Sequence, residues 1–264
     1  DHSVVTVEGW VKWGQFKSDS RFFDFAVGDV TFNVKNDAAS PSIALERVYS
    51  DRFDSRKTQN ALEVGVWTHI AAVCSPDMTT LYVNGFRLSG SLFSGAIPQE
   101  IMSQRSGQNT LGRTNWKAVQ ELRMVNPDFK GQMEEVRVWE GERTLEQIQA
   151  NRHRRLTGDE PGLLVLLNFD DQENPGRNIA NDDLNGVLHG AAITREADLS
   201  SPVGSTPNKV LDLDGEEDWV EMEPQSLSKL ETATIEVWVN PRSLEYKPER
   251  RPMQRIFHYG AKNN

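Results

Sequence analysis

One cysteine, Cys74, stands in 264 residues, so no disulfide can close within the chain. A lone thiol also supplies neither a zinc cluster nor a redox pair. It ends the apolar run Ile70-Ala71-Ala72-Val73-Cys74 and reads as a buried small hydrophobe. Long apolar runs are missing too. None approaches the roughly 20 residues of a membrane-spanning helix, so no membrane insertion is expected. Positive charge is scarce: 29 Lys and Arg against 39 Asp and Glu give a net charge of −10. That balance argues against nucleic acid, whose phosphates need concentrated cations, and against an anionic membrane surface. It leaves cations, neutral sugars and basic proteins as partners. The five histidines, His2, His69, His153, His189 and His258, are scattered, with no pair at metal-ligand spacing. No Ser/His/Asp spacing or nucleophile elbow occurs. The chain opens at Asp1 rather than Met, without a secretory leader, and reads as a mature or excised piece of a longer protein.

What is present is strand periodicity. In Val4–Trp13, Val5, Val7, Gly9 and Val11 fall on one face and Thr6, Glu8, Trp10 and Lys12 on the other. Further short strands are expected at Arg21–Val27, Val30–Lys35, Ile43–Tyr49, Trp67–Cys74, Thr80–Val83, Asn109–Gly112 and Gln132–Trp139. The pattern resumes at Leu163–Phe169, Gly186–His189, Val210–Leu213, Trp219–Met222, Thr232–Val239 and Arg255–Tyr259. Asn84-Gly85 between two such runs is a hairpin signal, and Ser75-Pro76-Asp77 also turns the chain. Many short strands with turns between them imply a sandwich or barrel. One helix is expected near 144–155. Thr144 and Gln147 have capping-box spacing, Leu145 and Ile148 share a face, and Arg152 to Arg155 match the dipole at its end.

The segment Thr6-Val7-Glu8-Gly9-Trp10-Val11-Lys12 is echoed by Thr234-Ile235-Glu236-Val237-Trp238-Val239-Asn240. Each is followed, after a polar loop, by a similar strand, Arg21–Phe25 and Arg255–Tyr259. A repeat of this length implies two copies of one domain.

Several segments together carry a resemblance: TVEGWVKW at 6–13, VWTHIAAVCSPDMTTLYVNGFRL at 66–88, NTLGRTN at 109–115, FKGQMEEVRVWEGERTLEQIQAN at 129–151, LLVLLNFDD at 163–171, LNGVLHG at 184–190, LDLDGEEDWVEM at 211–222 and ATIEVWVNP at 233–241. The chain resembles laminin-G-like jelly-roll domains of large secreted or surface proteins. These belong to the concanavalin-A-like lectin/glucanase superfamily and are related to pentraxins. The resemblance implies an all-β, two-sheet antiparallel β-sandwich with one short α-helix. In family order, residues 1–155 form a domain lacking its opening strands, and 162–264 supply the opening strands of a second copy. Leu163–Met222 is therefore expected either to complete the first sandwich or to exchange strands with a neighbouring copy.

The acidic run Asp212-Leu213-Asp214-Gly215-Glu216-Glu217-Asp218 offers hard oxygens on a turn, as calcium prefers. The family likeness implies a calcium site from Asp214, Asp218 and Glu134, with Glu134 standing where the family usually has Asp. A second, weaker acidic loop spans Asp170–Asn174 and Asn181–Asp183. Glu216, Asp218 and Glu221 match the E-x-D-x-x-E spacing of laminarinase-type glycoside hydrolases. That match begins in a turn, and the chain is expected not to be an enzyme. Of the seven tryptophans, Trp10, Trp67, Trp139 and Trp238 match structural family positions. Trp116, in a loop with Asn115 and Arg113, is the expected ligand contact. The expected function is non-catalytic binding of carbohydrate or a protein surface, outside the cell or on its surface. The alternatives are a structural spacer or adhesion module and, less in keeping with the residues, a hydrolase.

Overall fold

A computed structural model describes residues 4–49, 52–95, 108–115, 127–171 and 173–189, with single positions 101, 192 and 203. The chain divides into two units, Asp1–Lys209 and Val210–Asn264, and every described residue lies in the first. The repeat at 234–240 and the strands expected from 210 onward lie outside the described residues.

The described residues form two antiparallel sheets, an all-β sandwich with one α-helix. One sheet contains β1 (Val5–Trp13), β6 (Trp67–Cys74), β7 (Met78–Val83), β8 (Phe86–Ser94), β10 (Gly131–Glu140) and β11 (Leu163–Leu167). Its strand order is β11-β10-β1-β6-β7-β8. The other contains β2 (Arg21–Val27), β3 (Val30–Asn36), β4 (Ile43–Val48), β5 (Phe53–Thr58) and β9 (Gln108–Leu111), in the order β5-β4-β3-β2-β9. The alternation read from the sequence explains the core. Val5, Val7, Val11 and Trp13 of β1 meet Phe32, Val34, Ile43 and Leu45 of the facing sheet, with Ile70, Ala72 and Cys74 beside them. Burial pushes the Cys74 thiol up to about 12, so it behaves as a hydrophobe.

Two bulges adjust the alternation. In β2 the register shifts between Arg21 and Phe23. Phe22 and Phe23 both enter the core, while Arg21 and Asp24 take the opposite face. Between β1 and β10 the register shifts around Gly9, with Glu135 at φ 50°. A Cβ on Gly9 would lie 3.0 Å from the Phe22 ring and 3.2 Å from the Val136 backbone, so glycine lets that ring seat.

The helix α1 (Leu145–Asn151) is shorter than the sequence suggests, but its capping box forms between Thr144 and Gln147. Ile148 buries against Ala71, Val73 and Tyr82, which places α1 on the outer face of the six-stranded sheet. Its end is held from below: the Trp10 indole donates to the Arg152 carbonyl at 2.6 Å, and Arg137 donates to the carbonyls of Asn151 and Arg154 at 3.0 and 2.6 Å. No helix among the described residues is long and apolar enough to cross a membrane.

Two elements differ from expectation. β5, Phe-Asp-Ser-Arg-Lys-Thr, is an edge strand with polar side chains on both faces, so no alternation announces it. Residues Gly186–His189 form no strand. There the Gly186 amide donates to the Gly176 carbonyl at 2.7 Å, an approach that only a residue without a side chain permits, since a Cβ on Gly176 would lie 2.0 Å from the Gly186 oxygen.

Candidate functional site

The polar face of the five-stranded sheet gathers chemistry that no single strand shows. Register places Thr110, Asp24, Asn33, Glu46 and Ser55 in one row across β9, β2, β3, β4 and β5. The flanking rows carry Ala26, Thr31, Val48 and Phe53 on one side, and Arg21, Lys35, Ala44 and Lys57 on the other. Along β2, β3 and β4 these residues alternate with core residues such as Phe23, Phe32, Val34 and Leu45.

The charges in the row are matched within it. Arg21 Nε lies 2.9 Å from Asp24 Oδ2, at ion-pair distance but without hydrogen-bond alignment. Lys35 Nζ lies 2.9 Å from Glu46 Oε1 and 3.0 Å from Asp19 Oδ1. Ser55 donates to Glu46 Oε1 at 3.3 Å. Burial pushes the Asp24 carboxyl up to about 6, against the Arg21 charge and the hydrogen bonds from Asn115 and Thr114.

Two oxygens remain unpartnered. Asp24 Oδ1 and Asn33 Oδ1 are shielded from solvent and accept no hydrogen bond. The Asn33 amide N–H is taken up by Thr31 Oγ1 at 3.3 Å. An unpartnered buried acceptor costs roughly 1–3 kcal/mol, so these two set the row apart from the rest of the sheet face. At the β5 edge the face opens: Ser55 is half-buried and Phe53 is 54% exposed.

Of the ligand contacts expected from the sequence, Asn115 is brought to this row. Its backbone N–H donates to Asp24 Oδ2 at 3.0 Å, and its side chain donates to the Asp24 carbonyl at 2.9 Å. It ties the loop after β9 onto β2. Arg113 points elsewhere, in a two-pronged exposed pair with Asp128 at 3.1 and 2.9 Å. Trp116 lies outside the described residues. For calcium, Glu134 is half-buried on β10 opposite Trp10, while Asp214 and Asp218 lie outside the described residues. Glu216, Asp218 and Glu221 lie outside them too. No three His, Cys, Asp or Glu side chains among the described residues are grouped to hold a metal.

A laminin G family model, described as the concanavalin A-like lectin/glucanases superfamily, matches residues 1–149. The chain belongs to this superfamily. Among solved structures, a candidate carbohydrate-binding protein from Bacteroides ovatus is 19% identical, with a TM-score of 0.47 over 64% of this chain and 46% of that one. Domain 4 of AbnA, an extracellular arabinanase from Geobacillus stearothermophilus solved with arabinotriose, is 21% identical, with a TM-score of 0.43 over 57% of this chain and 66% of that one. The CBM40 of the Ruminococcus gnavus IT-sialidase is 14% identical, with a TM-score of 0.47 over 57% of this chain and 83% of that one. The chain thus spans less than half of the first structure and about two thirds of the second. No curated protein sequence matches it.

Within the superfamily fold, the row was missed from sequence because Asp24, Asn33 and Glu46 each read alone as a solvent-face residue. Their shared signal is a single polar residue between two apolar ones at mid-strand, in Phe23-Asp24-Phe25 and Phe32-Asn33-Val34.

Proposed function

We propose that this chain is a non-catalytic carbohydrate-binding module, and that its ligand face is the polar side of the five-stranded sheet. The observation that carries this reading is the charge-matched polar row of Asp24, Asn33, Glu46 and Ser55 across four strands, which opens at the β5 edge beside the exposed ring of Phe53. Membership of a superfamily of lectins and glucanases agrees with it. The non-catalytic part rests on the carboxylates. Asp24 and Glu46 are each committed to neighbours in the sheet, Asp24 to Arg21 and Asn115, and Glu46 to Lys35 and Ser55. The same reading puts the chain outside the cell or on its surface, where glycans are met. Calcium at Glu134 with Asp214 and Asp218 is a separate proposal, tested by whether calcium raises the melting temperature.

The test of the function is a glycan array probed with the whole chain, followed by calorimetry on the glycans that bind. Binding without cleavage of the glycan supports the reading. Silence on every glycan, together with capture of a protein partner, overturns it in favour of a spacer or adhesion module. Hydrolysis overturns its non-catalytic part.

A further inference from the structure

The outermost strand of the six-stranded sheet, β11, lies past α1 and outside the residues 1–149 that match the family. It also stands apart from the main core. Leu163 and Leu166 bury in a separate cluster with Trp139 and Leu156, against which Ile179 and Ala180 pack. Peeling β11 away therefore leaves the core between the two sheets in place. It bares the β10 edge from Val136 to Trp139, which pairs with Leu167 to Leu163. A bared strand edge is a template for another strand. The far edge of β11 is closed from within its own segment. The Leu166 N–H donates to Asn178 Oδ1 at 2.9 Å, Asn178 Nδ2 donates to the Leu164 carbonyl at 3.1 Å, and the Ile179 N–H donates to the Leu166 carbonyl at 2.9 Å. Asn178, itself fully buried, thus stands in for a further strand. Residues 163–180 are a strand with its own edge cap, joined to α1 by a largely exposed turn at 157–162.

We propose that the β10 edge is a strand-accepting site through which two copies of this chain join, each laying its residues 163–180 on the β10 of the other. The occupant that fits the edge is this sequence itself. The edge meets it through backbone pairing and the burial of Leu163 and Leu166 beside Trp139, which an identical segment of a second chain supplies equally. Within one chain, tethering favours the chain's own segment, so exchange grows with protein concentration. The proposal is independent of the carbohydrate reading.

Disulfide trapping on the whole chain tests this. Val138 and Val165 stand opposite one another across β10 and β11, a placement that suits a disulfide when both are cysteine. The buried Cys74 thiol, pushed up to about 12, stays out of the reaction. A chain carrying both Val138→Cys and Val165→Cys should cross-link within itself when dilute. An equal mixture of Val138→Cys chains and Val165→Cys chains, held concentrated in mild urea, returned to buffer and oxidised, should give a cross-linked dimer that neither chain gives alone. Adding Asn178→Ala to the Val165→Cys chain removes the edge cap and should speed the appearance of that dimer about tenfold. The melting temperature of each variant shows that it has folded. A mixture that gives no more dimer than the separate chains, while the double variant closes on itself, overturns the exchange. A double variant that does not close overturns the β10–β11 pairing on which it rests. An Asn178→Ala chain that exchanges no faster overturns the part given to Asn178.

Discussion

Glu8 Oε2 and His69 Nε2 face one another across 3.6 Å beneath α1, both fully buried, and neither donates to the other. The contact is not an ion pair. Burial holds the imidazole well below its ordinary range, and the nearby Arg137, Arg152 and His153 add to this. Burial also raises the Glu8 carboxyl, against Arg137, the Trp139 indole and Arg143. The unfolded chain protonates His69 below about pH 6.5 while the folded chain does not, so His69 costs stability as pH falls through that value. Glu8 acts in the opposite sense, because its folded form keeps a proton that the unfolded chain releases. In His69→Phe the Glu8 effect remains and the His69 effect is gone. Between pH 7 and 5.5 the wild type should lose about 1 kcal/mol relative to that variant, measured by urea unfolding at both values. Parallel losses in the two proteins would refute the assignment.

Arg47 fastens the two sheets together. From β4 its guanidinium donates to the Gly95 carbonyl at 2.7 Å, to the Ser94 carbonyl at 3.1 Å and to Asp54 at 3.0 Å. Arg47→Met keeps the bulk but strands these partners, and should cost about 3 kcal/mol. Arg47→Lys restores charge without the planar fork and should recover only part of that loss. Chemical denaturation of both variants gives the comparison.

Gly131 opens β10 opposite Trp13. A Cβ there would lie 2.1 Å from the Lys12 carbonyl oxygen and 2.6 Å from the Phe129 ring. The backbone oxygen cannot yield without breaking the β1–β10 ladder, so Gly131→Ala should cost more than about 3 kcal/mol. At Gly14 the nearest atom to a new Cβ is 3.4 Å away, and Gly14→Ala should be nearly neutral. Thermal melts of the two variants, side by side, separate close packing from a general dislike of alanine.

The same local physics decides what could be read from the sequence. β1, β3 and β6 were legible because one face is apolar and the other is not, and a period of two follows from the pleat. The capping box of α1 was legible because it is a contact between residues three apart. β5 was not, because an edge strand with water beside it needs no apolar face. Gly186–His189 misled because its valine and leucine suggest a strand, whereas the close backbone approach of Gly176 and Gly186 governs that loop. The Asp24–Asn33–Glu46 row depends on register between three strands, and on the bulge that turns Phe22 and Phe23 inward and leaves Asp24 outward. Neither is local in sequence. Asn115 was found as a loop residue beside a tryptophan, yet its position comes from Asp24, ninety-one residues away.

Asp24 gives the folded chain a pH dependence whose sign is fixed. Burial pushes its carboxyl up to about 6, with Arg21 opposing, whereas an aspartate in the unfolded chain titrates at about 3.9. The folded chain therefore keeps a proton that the unfolded chain has released, and Asp24 costs stability as pH rises from about 4 through about 6. Asn in its place cannot ionise and still offers an oxygen to the Asn115 backbone N–H that Asp24 holds at 3.0 Å. Between pH 4 and pH 7 the wild type should lose about 2 kcal/mol relative to Asp24→Asn, read by urea unfolding at both values. Parallel changes in the two proteins would mean that burial does not raise this carboxyl.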